Sequence, residues 1–118
     1  MENFRISLPL TGEYLTTVRL TTGGLCSLVG FDLDSAEDFK VCVTESLLIL
    51  KRNGFLRADI EFTVSESLGF AVCGVDANGE KEESFEDEIS RALLSALLGE
   101  VSFEKNADGV VEKISFVG

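Results

Sequence analysis

Residues 35–75 read SAEDFKVCVTESLLILKRNGFLRADIEFTVSESLGFAVCGV, and two periodicities meet within them. Up to Leu50 the apolar positions Phe39, Cys42, Val43, Ser46, Leu47 and Leu50 recur at three and four residues, the buried side of a helix. Ser35 with Asp38 three residues later makes a capping box at its start, and Asn53-Gly54 ends it. From Ala58 the period changes to two. Ala58, Ile60, Phe62 and Val64 alternate with Asp59, Glu61 and Thr63, which predicts a half-buried strand. Glu66 and Ser67 supply a turn, and Leu68 to Val75 is apolar enough for a central strand covered on both faces. A helix followed by a hairpin is the kernel of the fold.

Towards the N-terminus, Phe4, Ile6 and Leu8 alternate with Arg5 and Ser7 in a strand that stops at Pro9. A helix follows from Thr11, with Tyr14, Leu15, Val18, Thr22, Leu25, Leu28 and Val29 in one stripe. Thr21-Thr22-Gly23-Gly24 lies inside it, and a glycine in a helix interior costs about 1 kcal/mol, so this helix depends on tertiary packing or bends there. Phe31 to Asp34 is a connector. Beyond the hairpin, Asp76-Ala77-Asn78-Gly79 is a turn, and the acidic stretch Glu80 to Glu83 follows. Ser84 and Asp87 form a second capping box for a helix with Phe85, Ile89, Ala92, Leu93, Ala96 and Leu97 on one side and Gly99 at its C-terminal cap. Val101 and Phe103, the turn Asn106-Ala107-Asp108-Gly109, and Val110 to Val117 close the chain as a hairpin. The order is β-α-α-β-β-α-β-β. It predicts an α+β two-layer sandwich, a mixed β-sheet with helices on one face, as a single domain over residues 1–118.

Composition narrows the function. The 118 residues carry 10 Lys plus Arg against 21 Asp plus Glu, a net charge of −11, with 45% hydrophobic residues. That balance is globular, and its sign argues against a nucleic-acid partner, whose phosphates need a basic surface. An anionic membrane surface is disfavoured for the same reason. No apolar run approaches the roughly 20 residues that span a bilayer, and MENFRISL does not read as a signal peptide, so a cytoplasmic protein is expected. The three cysteines, Cys26, Cys42 and Cys73, form no C-x-x-C and read as small buried residues. There is no histidine. Any chemistry would have to run on carboxylates, lysines or a bound nucleotide.

Three segments, taken in order, carry a resemblance to a known family. They are Leu8-Pro-Leu-Thr-Gly-Glu-Tyr-Leu-Thr-Thr-Val-Arg19, Asp38-Phe-Lys-Val-Cys-Val-Thr-Glu45, and Ala96-Leu-Leu-Gly-Glu-Val101 with Asp108-Gly-Val-Val. Together they resemble the anti-sigma-factor serine kinases of the histidine-kinase-like (GHKL, Bergerat fold) ATPase superfamily, over nearly the whole chain. In that family an E-x-x-x-N on the second helix supplies a base and a magnesium ligand. Here the resemblance makes Glu45 the catalytic candidate, but Ile49 stands where the asparagine would be. Asn53, a further turn along the same face, is a remote candidate for the metal. The family's D-x-G-x-G, which reads adenine, falls on Asp76 to Glu80. Asp76 and Gly79 are the nucleotide-binding candidates, although the two glycine positions carry Asn78 and Glu80, and an ordinary turn explains the segment as well. The glycines of the phosphate-cradling lid fall on Glu88 and Ser90, in an acidic stretch that would repel a triphosphate.

The resemblance therefore implies a regulatory protein that works by protein–protein binding, with a degenerate ATP pocket and no cofactor. The alternative is an active protein serine kinase using Mg-ATP. The partners it implies are a sigma factor or a small anti-sigma antagonist, in bacterial transcription regulation. A homodimer through Arg19 and the first helix is plausible, and Leu25, Leu28 and Val29 could serve it as well as the core.

Overall fold

The computed structural model describes residues 2–77 and 85–118. Its elements are β1 (Glu2–Pro9), α1 (Gly12–Val29), α2 (Leu33–Arg52), β2 (Arg57–Val64), β3 (Leu68–Val75), α3 (Phe85–Leu98), β4 (Ser102–Lys105) and β5 (Val111–Val117). The order is the one predicted, in two layers. The five strands lie as β1-β2-β3-β5-β4, and every pairing is antiparallel. The expected mixed sheet is thus corrected in strand direction. Between β1 and β2 the chain makes two helical traverses, and between β3 and β5 it passes through α3 and β4. Two intervening traverses make three reversals, an odd number, which returns each neighbour antiparallel.

Leu8, Ile60, Phe62, Phe70, Val72, Ile114 and Phe116, at alternate positions of β1, β2, β3 and β5, face the helices and are all buried. The register sets Phe62 opposite Phe70, and Phe70 opposite Phe116. Their rings stack on to Phe39 of α2 through centroid separations of 5.5, 4.9 and 5.3 Å, within the range of favourable aromatic pairs. Odd-numbered residues of β1, β2 and β3, with Lys113 of β5 and Glu104 of β4, line the helix-free face in polar cross-strand pairs. Arg5 bonds Glu61 at 2.6 Å, the Ser7 hydroxyl donates to Asp59 at 2.6 Å, and Lys113 lies 3.7 Å from Glu104. Cys73 shares this face and is exposed, whereas Cys26 and Cys42 are buried as expected. Strand alternation decides the difference.

Helix α1 runs unbroken through Gly23 and Gly24. Tertiary packing supplies what the glycines withhold: Val18, Thr22, Leu25 and Cys26 are buried, and the Thr22 hydroxyl donates to the Val18 carbonyl at 2.7 Å. Leu25 therefore belongs to the core, while Leu28 is 76% exposed. Helix α2 starts earlier than the capping box implied. Asp32 is its N-cap, with the Ser35 amide donating to the Asp32 carboxylate at 2.7 Å. Both residues are competent caps, and the one that lies before Leu33 takes the role.

Candidate functional site

Of the chemistry-bearing positions named from the sequence, Glu45, Ile49, Asn53 and Ser90 meet at the seam between α2 and α3. Four residues of α2 and its cap lie on that side at helical spacing: Glu45, Ile49, Arg52 and Asn53. Ile49 is wholly buried within the hydrophobic core. Glu45 is half-buried, and the Ser90 hydroxyl of α3 donates to its carboxylate at 2.7 Å. Ser90 in turn accepts from the Arg52 guanidinium at 3.2 Å. The same Nη1 donates to Asp87 Oδ1 at 2.9 Å, and the Asn53 amide donates to Asp87 Oδ2 at 3.1 Å. Asn53 also donates to the Ile49 carbonyl at 2.7 Å and accepts from the Val111 amide at 3.4 Å, so one side chain ties α2, α3 and β5 together.

The seam is closed and largely self-satisfied. Ser90 and Asn53 are buried, at 3% and 7% exposure, and the Arg52 and Asp87 side chains keep only 13% and 17%. Partly desolvated, charge-assisted bonds of this kind are stronger than their surface equivalents. Each oxygen of Asp87 has a donor, and the Ser90 hydroxyl both accepts and donates. Ser90, which the resemblance aligned with a lid glycine, is here the partner of Glu45. Glu88, the other aligned position, is exposed on α3.

Asp76 lies apart from this cluster, at the end of β3. Its backbone takes the left-handed conformation (φ 59°), its carbonyl accepts from the Leu56 amide at 3.1 Å, and the residue is exposed. Aspartate tolerates that conformation better than most residues. Just before it, the Phe55 ring lies on Gly74 so closely that a Cβ there would fall 2.4 Å from the ring. Gly79 and the Ser84 cap fall outside the described residues. Among the described residues, no group of three or more Cys, Asp or Glu side chains is arranged to hold a metal ion, and no helix is long and apolar enough to cross a membrane.

Burial raises the thiols of all three cysteines above their ordinary value. Cys42 is pushed up to about 12 by desolvation, with Asp38 and Glu45 adding to it. Thiolate chemistry beside Glu45 is therefore suppressed at neutral pH. Two residues of the seam escaped the sequence reading. No pattern singles out Arg52, and Asp87 reads as half of a cap within an acidic stretch. The available signal was Arg52 one residue before the Asn53 cap, a cation at a helix C-terminus with acidic residues waiting on the next helix.

The element order and the helix-backed five-stranded sheet are consistent with a histidine-kinase-like sandwich. No family model matches the sequence. Among curated proteins, the serine-protein kinase RsbW of Bacillus mycoides (strain KBAB4) is 27% identical over 63 residues, which is 53% of this chain and 39% of that protein. The RsbW of Bacillus cereus (strain B4264) matches to the same extent. The RsbW of Bacillus thuringiensis (strain Al Hakam) is 33% identical over 45 residues, 38% of this chain and 28% of its own length. The chain thus has weak homology to RsbW serine-protein kinases over about half its length, and the match spans well under half of each relative.

Proposed function

We propose that this protein is an anti-sigma-factor-like regulator that acts by binding a protein partner, with an ATP pocket that no longer works. The observation that carries the reading is the α2–α3 seam. The position that would offer magnesium an oxygen is Ile49, buried in the core, and the carboxylate of Glu45 is held by Ser90. Asn53, the remote alternative, spends its amide on Ile49, Asp87 and Val111. This donor set does not fit Mg-ATP, whose binding energy lies in charge neutralisation and in backbone donors to the phosphates. Weak homology to RsbW supports a regulator of the anti-sigma type, with a sigma factor or its antagonist as partner, in the cytoplasm of a bacterium. The exposed row of α1, where Leu20 and Leu28 are 74% and 76% exposed near Arg19, is the surface we assign to a homodimer.

The test is a thermal melt with and without millimolar Mg-ATP. A ligand at about 100 times its dissociation constant adds about 2.7 kcal/mol, several degrees for a domain of this size. We expect no shift. A shift that requires magnesium would show a working Mg-ATP pocket, overturn the degenerate-pocket proposal and make the serine kinase the leading reading.

A further inference from the structure

The outer side of α3 carries what its inner side lacks. Of the six residues the sequence groups on one side of this helix, Leu93 and Leu97 are half-buried, while Phe85, Ile89, Ala92 and Ala96 face solvent. Phe85 is 74% and Ile89 54% exposed, and both alanines are exposed too. Spacings of four, three and four residues put the four in one row. Helical geometry sets Glu86 along one flank of the row and Glu88 along the other. Glu88 is exposed, and the Glu86 side chain keeps 76% exposure while lying 3.7 Å from Arg52. The one cation of the helix, Arg91, is turned away from the row, 5.5 Å over the Phe103 ring and 4.0 Å from Asp87.

A row with an apolar floor and acidic rims has a definite complement, and an exposed apolar row of this kind marks an interaction surface. We propose that the outer face of α3 docks a basic amphipathic helix of a partner protein, its apolar side on Phe85 and Ile89 and its lysines or arginines towards Glu86 and Glu88. Charge disfavours the other occupants. A second copy on this face would bring Glu86 and Glu88 against their own like. An anionic membrane would be repelled in the same way. The inference rests on the binding-module reading and deepens it by naming a face and the chemistry of the partner.

The probe is a synthetic peptide of about five helical turns with leucine and lysine at amphipathic spacing, read by fluorescence anisotropy. A scrambled peptide of the same composition controls for charge alone. The amphipathic peptide should bind saturably, about tenfold or more tighter than the scrambled one. The double variant Phe85→Ser, Ile89→Ser, checked for an unchanged circular dichroism spectrum, should lose that advantage and keep the weak binding of the scrambled peptide. Glu88→Lys, which leaves the row intact, should weaken the amphipathic peptide severalfold and lessen its salt dependence. Equal binding of the two peptides, or full affinity in the double variant, would overturn the proposal. So would a drop in sedimentation mass on making the double variant, since it would show a second copy on the row. A Mg-ATP melt on the same samples separates the two readings: a magnesium-dependent shift removes the degenerate-pocket reading and leaves the peptide result standing.

Discussion

Helix α2 and helix α3 meet the rest of the molecule in opposite ways. Of the seven residues α2 buries, all but Ser46 are apolar, and they lie against the aromatic stack of the sheet. Helix α3 buries only Ser90 and Leu94, and its first turns are held by Ser90 and Asp87 against Glu45, Arg52 and Asn53. Its largest apolar side chains at the N-terminal end point to water. The difference teaches that an amphipathic pattern identifies a helix without saying which side is solvated. It also divides the stability of the molecule. Apolar burial is strong and non-directional, whereas a hydrogen-bonded seam contributes less and depends on every partner being present.

Substitutions should separate the two helices by size of effect. Leu47→Ala, in the wholly buried face of α2, should cost about 3 kcal/mol in urea unfolding, as deletions of core methyl groups do. A loss below about 1 kcal/mol would mean that α2 is less central than described. Arg52→Ala comes next, at about 2 kcal/mol, because Asp87 would keep its partly buried charge without its guanidinium partner. If this variant proved as stable as the wild type, the seam would not be what holds α3.

The smallest effect belongs to the start of α2. The Ser35 amide holds the Asp32 carboxyl below its ordinary value. A depressed carboxyl stabilises the fold above its unfolded value of about 3.9, and that contribution is lost as pH falls through the folded value. Asp32→Asn keeps a competent cap but does not titrate. The variant should therefore melt with a slightly flatter pH dependence below about pH 4 and the same melting temperature near neutrality. A change confined to neutral pH would contradict the assignment of Asp32 as the cap.

What the sequence revealed follows the strength of each local signal. The hairpin 57–75 and the buried side of α2 were legible because Ile60, Phe62, Phe70 and Val72 keep the period of two and Phe39, Cys42, Val43, Leu47 and Leu50 the spacing of three and four. The start of α2 was not, since Asp32 and Ser35 are both good caps and only the folded backbone chooses between them. Strand direction was also hidden, because it depends on the number of chain reversals rather than on any residue. Glu45 was reached through its place in a helical motif. Its partner Ser90 lies 45 residues away, and Arg52 with Asp87 spans 35. No periodicity encodes such pairings. They became visible only when α3 was seated on α2.

The most direct test of that seating is native-state hydrogen exchange of the wild-type protein in rising urea. If polar partners hold α3, its amides should open as a separate unit, at lower free energy and with weaker urea dependence than those of α2 and β2 to β5. Exchange of α3 in step with α2, at the same free energy and the same urea dependence, would show that α3 is anchored through the apolar core and would contradict the account.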